Sequence, residues 1–364
     1  MTHPRVIGID PGTVSIDVCG LAGDAVFFAR SVPTRVALRD PGAFVAMLDG
    51  AGPVECIVGP SGYGMPVTRG EDVTEEALRL AFLTAPGESG GIGGLTALAR
   101  TLASSNDRVV FIPGVVHLGT VPAHRKVNRV DLGTADKVCA TALAIAQQQR
   151  RRGCAVEDVS LILIELGGAF TAGIAVSGGC IVDGIGGSAG PIGFRASGAW
   201  DGEVAFLADH VTKAMLFGGG ATAIWGGDEP TPDAFAAPVG ARQVTAWAAF
   251  VEGVRKMAAA LAVSVPAPME IVLSGRLAWS EPVFRACAAR LVAIAPVTRL
   301  SGIGTKQAAE GAAMIADGLA GGGRRALVER MGIPTASGSV LDHLVAITPE
   351  AARARLGLAM SGRV

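Results

Sequence analysis

The 364-residue chain has one tyrosine, five histidines, 5% aromatic residues and only 17% charged residues, with a formal net charge of −1. So even a balance offers no global attraction for DNA, RNA or an anionic lipid surface. The histidines are scattered, and no two share a helical face with an acid, which argues against a histidine metal site. Six cysteines without a C-x-x-C spacing indicate neither a zinc knuckle nor a disulfide framework, and they suit a reducing cytoplasm. The first residues lack a basic stretch followed by an apolar one, which argues against secretion. The longest apolar run, Val159 to Val182, carries Glu165 as its only charge, but Gly167-Gly168 and Gly178-Gly179 cut it into pieces too short to cross a bilayer. It reads as two buried strands joined by a turn. What is abundant is apolar residues, at 50%, and glycine, at 51 residues. This composition predicts tightly packed, glycine-turned α/β layers, and the length allows two domains.

Alternating strand and helix patterns run along the chain. Strands are expected at 5–10, 16–21, 56–59, 108–112, 160–166, 172–177, 180–184 and 270–274. Helices are expected at 41–48, 74–84, 94–104, 135–151, 204–215, 242–261, 282–291 and 305–319. Two hairpins stand out. "IGIDPGT" and "LIELGGAFT" each pair an apolar strand ending in an acid with a glycine turn and an expected alternating return strand, about 155 residues apart. Duplicate hairpins imply duplicate domains.

Glycine in such turns lets backbone N–H groups approach phosphate oxygens that a Cβ would keep away. A carboxylate at the strand end cannot bind phosphate, but it can hold Mg²⁺ or its waters. Asp10 and Glu165 are therefore expected to face each other across a cleft, around a magnesium nucleotide.

Five segments in order resemble the superfamily of acetate and sugar kinases, chaperone ATPases and actin. "IGIDPGT" resembles its first phosphate loop, "IELGGAFTAGIAVSGG" its second and "VLSGRL" (272–277) its adenosine motif. "DLGTADKVCATALAIA" and "GTKQAAEGAAMIADGLAGG" resemble its two connecting helices, where Ala140, Ala144, Ala308, Gly311, Ala312 and Ala316 would permit close packing. Within it, "GGCIVDGIGGSAGPIGFRASGAWDGE" (178–203) and "RVDLGTADKV" (129–138) resemble the butyrate and acetate kinases. "PSGYG", "DLGTADK" and "GAAMIADGLAGG" resemble a family labelled predicted butyrate kinase.

The resemblance implies an α/β fold of two ribonuclease H-like, actin-like ATPase domains with a nucleotide cleft between them. The first domain would span 1–130, the second 131–305, and a connecting helix and C-terminal segment 306–364. It implies ATP and Mg²⁺ as cofactors, phosphoryl transfer to a carboxylate or other small anionic metabolite, and a homodimer. Asp10 and Glu165 would hold the metal; Gly12, Thr13, Gly167, Gly168, Thr171, Ser274, Gly275 and Arg276 would bind the nucleotide. Arg195 would neutralise the transferring phosphoryl group and the acceptor carboxylate, because its guanidinium stays charged and its fork spans two oxygens. Asp131 would enter the cleft.

The pattern also departs from acetate kinases, which have Asn at the position of Asp10, His at that of Glu165, and a His in the segment matching "DLGTADK". The acids here resemble those of the actin-like ATPases and sugar kinases. An ATP-driven conformational protein with no metabolite acceptor is thus a second expectation, and a nucleotide-binding regulator a third. Several residues read two ways. Thr134 or Asp136 is a site residue or a helix cap; Lys137 contacts phosphate or water; Tyr63 and Arg69 select an acceptor or sit in a connecting turn. Arg125, Lys126 and Arg129 gather anions or face water, and the clusters 150–152 and 324–325 read as solvated helix ends.

Overall fold

The structure, a computed structural model, describes residues 3–87, 91–105, 107–265, 267–303 and 305–358. The chain divides into two compact units. One comprises residues 1–130, 134–146 and 302–364, the other 131–133 and 147–301. The helix Ala135–Arg152 begins in the first unit and ends in the second, whereas the helix Gln307–Leu319 belongs wholly to the first. Gly304, in the segment matched to the second connecting helix, lies outside the described residues.

In the first unit, strands β1 (Arg5–Pro11), β2 (Ser15–Ala22), β3 (Ala25–Pro33), β4 (Cys56–Val58), β5 (Thr68–Arg69) and β6 (Val109–Phe111) form a sheet ordered β3-β2-β1-β4-β6-β5. In the second, β7 (Ser160–Leu166), β8 (Thr171–Ser177), β9 (Cys180–Ile185), β10 (Glu270–Ser274) and β11 (Val297–Arg299) are ordered β11-β10-β7-β8-β9. The two orders are the same, apart from the antiparallel edge strand β5. In both, the first three strands form an antiparallel meander and the first strand pairs parallel with the fourth.

The return strands β2 and β8 do not alternate as expected. Every residue of β2 but its two ends is buried, as is every residue of β8 but Ser177. Both strands are thus buried on both faces, and a strand covered on both sides has no need of alternating polar positions. In the first unit the helix Gln307–Leu319 lies directly on β1. A Cβ on Gly8 would stand 2.2 Å from the backbone nitrogen of Ala313, so only glycine allows this approach. The same helix meets Ala135–Arg152 as the small-residue stripe predicts: a Cβ on Gly311 would fall 1.8 Å from the Cys139 carbonyl oxygen. The second core gathers Ile162, Ile164, Phe250, Leu261, Ile271 and Leu273 between its sheet and the helix Ala241–Ala262.

The helix expected at 204–215 is two short ones, Gly202–Leu207 and Lys213–Phe217. Asp209 adopts a left-handed φ of 56°, and the Thr212 hydroxyl accepts from the Met215 N–H at 3.3 Å, starting a new helix. The basic clusters are also less solvated than expected. Arg324 donates to the Gly23 carbonyl and to Asp24 and lies 3.7 Å from the buried Asp317, while Arg151 donates to the buried Glu270 at 2.6 Å. Among the described residues no helix is long and apolar enough to cross a membrane.

Candidate functional site

The first hairpin turns sharply after Asp10. The Gly12 N–H donates to the carbonyls of both Asp10 and Ser15 at 3.1 Å, and Thr34 fastens the turn by donating its hydroxyl to the Gly12 carbonyl and its N–H to that of Val14. Thr13 and Val14 are exposed at its tip. In register, Asp10 pairs with Asp17, so two buried carboxylates stand side by side at the strand end. The Ser15 hydroxyl donates to Asp17 Oδ2 at 2.8 Å. Lys306, just before the helix Gln307–Leu319, reaches in: its Nζ is 2.9 Å from Asp17 Oδ2 and 3.9 Å from Asp10 Oδ2 and donates to the Ser15 carbonyl. The group lying against Gly12 is this ammonium, and a Cβ there would stand 2.0 Å from Nζ. Nothing local in the sequence pointed to Lys306.

Behind the turn, burial drives the Cys139 thiol well above its usual range, and the charges of Asp136 and Asp10 push it further. Asp136 itself accepts from the Thr134 hydroxyl and from Lys137. Burial would raise its pKa, but the Lys137 ammonium and these hydrogen bonds bring the net shift below the ordinary carboxylate value. Thr134 and Lys137 thus serve Asp136 at the start of the helix.

The second hairpin repeats the turn. The Gly167 N–H donates to the Phe170 carbonyl at 3.0 Å, as Gly12 does to Ser15, with Glu165 two residues ahead as Asp10 is. Opposite Glu165, however, stands Ala172. Two segments converge on this turn. The end of β10 runs parallel to β7 with Ser274 in register with Glu165, and Gly275, at φ 84°, passes so close that a Cβ would stand 2.6 Å from the Leu166 carbonyl oxygen. Arg276 follows, its side chain 3.6 Å from where a Cβ on Gly168 would be. The N–H groups of Arg195 and Ala196 both donate to the Ala169 carbonyl, at 3.1 and 3.2 Å, which docks the loop of Arg195 onto the turn. The Arg195 guanidinium donates to both oxygens of Glu229. That hydrogen-bonded pairing raises the pKa of Arg195 and lowers that of Glu229, which also feels Arg276. Glu229 had no motif to announce it.

Two hydroxyls here are buried without a hydrogen-bond partner among the described residues, Thr171 Oγ1 and Ser274 Oγ. Buried polar atoms are ordinarily satisfied, so orphans beside a glycine turn fit a polar ligand group. Asp131 is fully engaged: Oδ1 accepts from the Gly133 N–H at 3.2 Å, and Oδ2 accepts from the Ser188 N–H and hydroxyl at 2.9 Å, tying the start of the unit to the loop after β9.

Of the two-way residues, Tyr63 donates its N–H to the Ala81 carbonyl and Arg69 is exposed near Glu71. Lys126 is buried and donates to the Leu118 carbonyl at 2.8 Å, so it does not face water. Among the described residues no group of three or more His, Cys, Asp or Glu could hold a metal ion by itself. Mg²⁺ makes no such demand, since it keeps most of its waters and takes one or two carboxylates. The donor sets at Asp10 and Glu165 suit that. An open depression lined by Glu71, Ser104, Asp107 and Arg108 lies where β6 begins, at the opposite end of the first unit's parallel strands from the Gly12 turn.

No curated protein matches the chain in sequence. Among solved structures, it resembles a propionate kinase from Francisella tularensis (12% identity, TM-score 0.61, 85% of this chain and 98% of that one). It also resembles the acetate kinases of Porphyromonas gingivalis (13%, 0.57, 80% and 88%) and Entamoeba histolytica (12%, 0.57, 79% and 86%). The fold is therefore that of these acetate and propionate kinases. Matched over residues 8–346, the chain belongs to the family described as "Protein of unknown function (DUF1464)".

Proposed function

We propose that the chain is an ATP-dependent phosphotransferase that uses Mg²⁺ and phosphorylates a small carboxylate. The observation that carries this reading is the convergence on the second turn of Glu165, Gly167, Gly168, Arg195, Ser274, Gly275 and Arg276, which come from separate parts of the sequence. A turn of the same construction in the first unit, with Asp10 in the place of Glu165, supports it. In this reading the glycine turns, with Thr13, take the phosphates, Thr171 and Ser274 supply hydroxyls, and Gly275 and Arg276 lie against the adenosine. Asp10 and Glu165 hold Mg²⁺ through its waters, and the ion neutralises the phosphates. Arg195 serves the transferring group. A carboxylate nucleophile is already ionised at neutral pH, so the protein must supply positive charge and alignment rather than a strong base.

A nucleotide hydrolase that passes the phosphoryl group to water is the second reading, favoured by the engagement of both arms of Arg195 with Glu229. An ADP-release assay across short and branched carboxylic acids separates the two. Acid-dependent turnover that falls about a hundredfold or more in Asp10→Asn and Glu165→Gln supports the kinase. Turnover indifferent to every acid supports the hydrolase, and absence of adenine nucleotide binding defeats both.

A further inference from the structure

Each glycine turn is covered by a cation of its own unit. Arg276 lies over Gly168, and Lys306 lies over Gly12, close enough that any side chain there would collide with Nζ. Arg276 comes from a segment matched to an adenosine motif; Lys306 has no assigned part. Its ammonium is 2.9 Å from Asp17 and donates to the Ser15 carbonyl, so it hangs on the turn's rim.

The same unit contains a purely structural pair for comparison. Asp317 is fully buried and Arg324 is 16% exposed, its backbone N–H donating to Asp317 Oδ2 at 2.8 Å and its side chain clamped to Gly23 and Asp24. Lys306 is built differently: its side chain is 36% exposed, and its ammonium ends a flexible stem. Asp17 and Asp10 together set two carboxylates against this one ammonium. Resting on the nucleotide reading above, we infer that Lys306 is the polyphosphate-contacting cation of the first turn. Asp17 holds its ammonium in this structure, and a phosphate oxygen seated at Gly12 competes for it.

The competition gives two substitutions opposite signs. Lys306→Met weakens ATP binding by about tenfold or more, the scale of a charge-assisted hydrogen bond. It affects ADP less and AMP little, and Lys306→Arg restores part of the loss. Asp17→Asn frees the ammonium and strengthens ATP binding several-fold. A merely structural lysine would not grade its effect by the number of phosphates. Calorimetry on the full chain with magnesium ATP, magnesium ADP, AMP and inorganic tripolyphosphate provides the readout, with thermal melting to confirm that each variant is folded. If the unsubstituted chain binds ATP and Lys306→Met binds it equally or more tightly, this inference is overturned while the nucleotide reading stands. If the chain binds tripolyphosphate in a Lys306-dependent way but no adenine nucleotide, the inference stands and the nucleotide reading falls. Binding of neither ligand overturns both.

Discussion

Arg195 grips Glu229 with both arms of its guanidinium, Nε on Oε2 and Nη2 on Oε1, each at 2.5 Å. Glu229 presents to that fork the same pair of oxygens that a substrate carboxylate would, so the two compete. Both side chains are about a third exposed, so the pair contributes no more than about 1 kcal/mol to stability. Glu229→Gln should leave the melting temperature nearly unchanged and lower KM for a carboxylate acceptor several-fold. Steady-state kinetics beside thermal melting checks this, and an unchanged KM would count against Arg195 as the acceptor's partner.

The unpartnered hydroxyls of Thr171 and Ser274 make a second case. Removing a buried polar atom that satisfies nothing relieves a desolvation cost. Ser274→Ala and Thr171→Val should therefore hold or raise the stability of the ligand-free chain, by up to about 1 kcal/mol each. The same changes should weaken ATP binding. Urea denaturation and calorimetry on the same samples compare the two effects, and equal nucleotide affinity would show that the hydroxyls take no part in binding.

Burial lowers the pKa of His117 from 6.5 to about 4, with Lys126 and His343 adding to the shift and the Gly114 carbonyl and Asp342 opposing it. The neutral imidazole is favoured in the fold, so the unfolded chain takes up a proton first as pH falls. Stability is full above pH 6.5 and declines toward pH 4, by about 3 kcal/mol for this group. His343, also lowered by burial, acts with the same sign. The depressed carboxyls of Glu75 and Glu229 start from 4.5, so their losses come at lower pH. Urea midpoints measured between pH 7 and 4.5 should fall in the unsubstituted chain and fall less steeply in His117→Gln.

Packing without side chains should be unforgiving at two glycines. Gly8→Ala and Gly311→Ala each drive a methyl into backbone of a neighbouring element and should cost about 3 kcal/mol or more. Gly119→Ala meets nothing within 4 Å and should cost less than about 1 kcal/mol. Denaturant titrations of the three variants test the contrast.

The parts legible in the sequence were local in origin. Asp10-x-Gly12 and Glu165-x-Gly167 announce their turns because a strand pattern, an acid and a glycine lie within a few residues. The strand Ser160–Leu166 matches its expected bounds because its apolar run ends where the glycines begin. Less visible were elements defined by their neighbours. β3 is mostly exposed along Ala25–Pro33 and counts as a strand only through its pairing with β2, and β11 has three residues. Lys306 and Glu229 reach their partners across hundreds and tens of residues respectively, by contacts that no window reveals. Arg324 looked like a surface charge because Asp317, its buried neighbour, sits in the stretch from Gly311 to Leu319 of its helix, which otherwise reads as apolar.

The residue facing each acid separates the two halves most clearly: Asp17 faces Asp10, but Ala172 faces Glu165. Only the leading turn has a second carboxylate, and with it a berth for a lysine; the trailing turn is served by arginines, Arg276 just after β10 and Arg195 in the loop docked on Ala169. The halves are therefore alike in shape and non-exchangeable in charge. Grafting one hairpin into the other's place would reproduce the bend of the chain and lose the charges that meet it there.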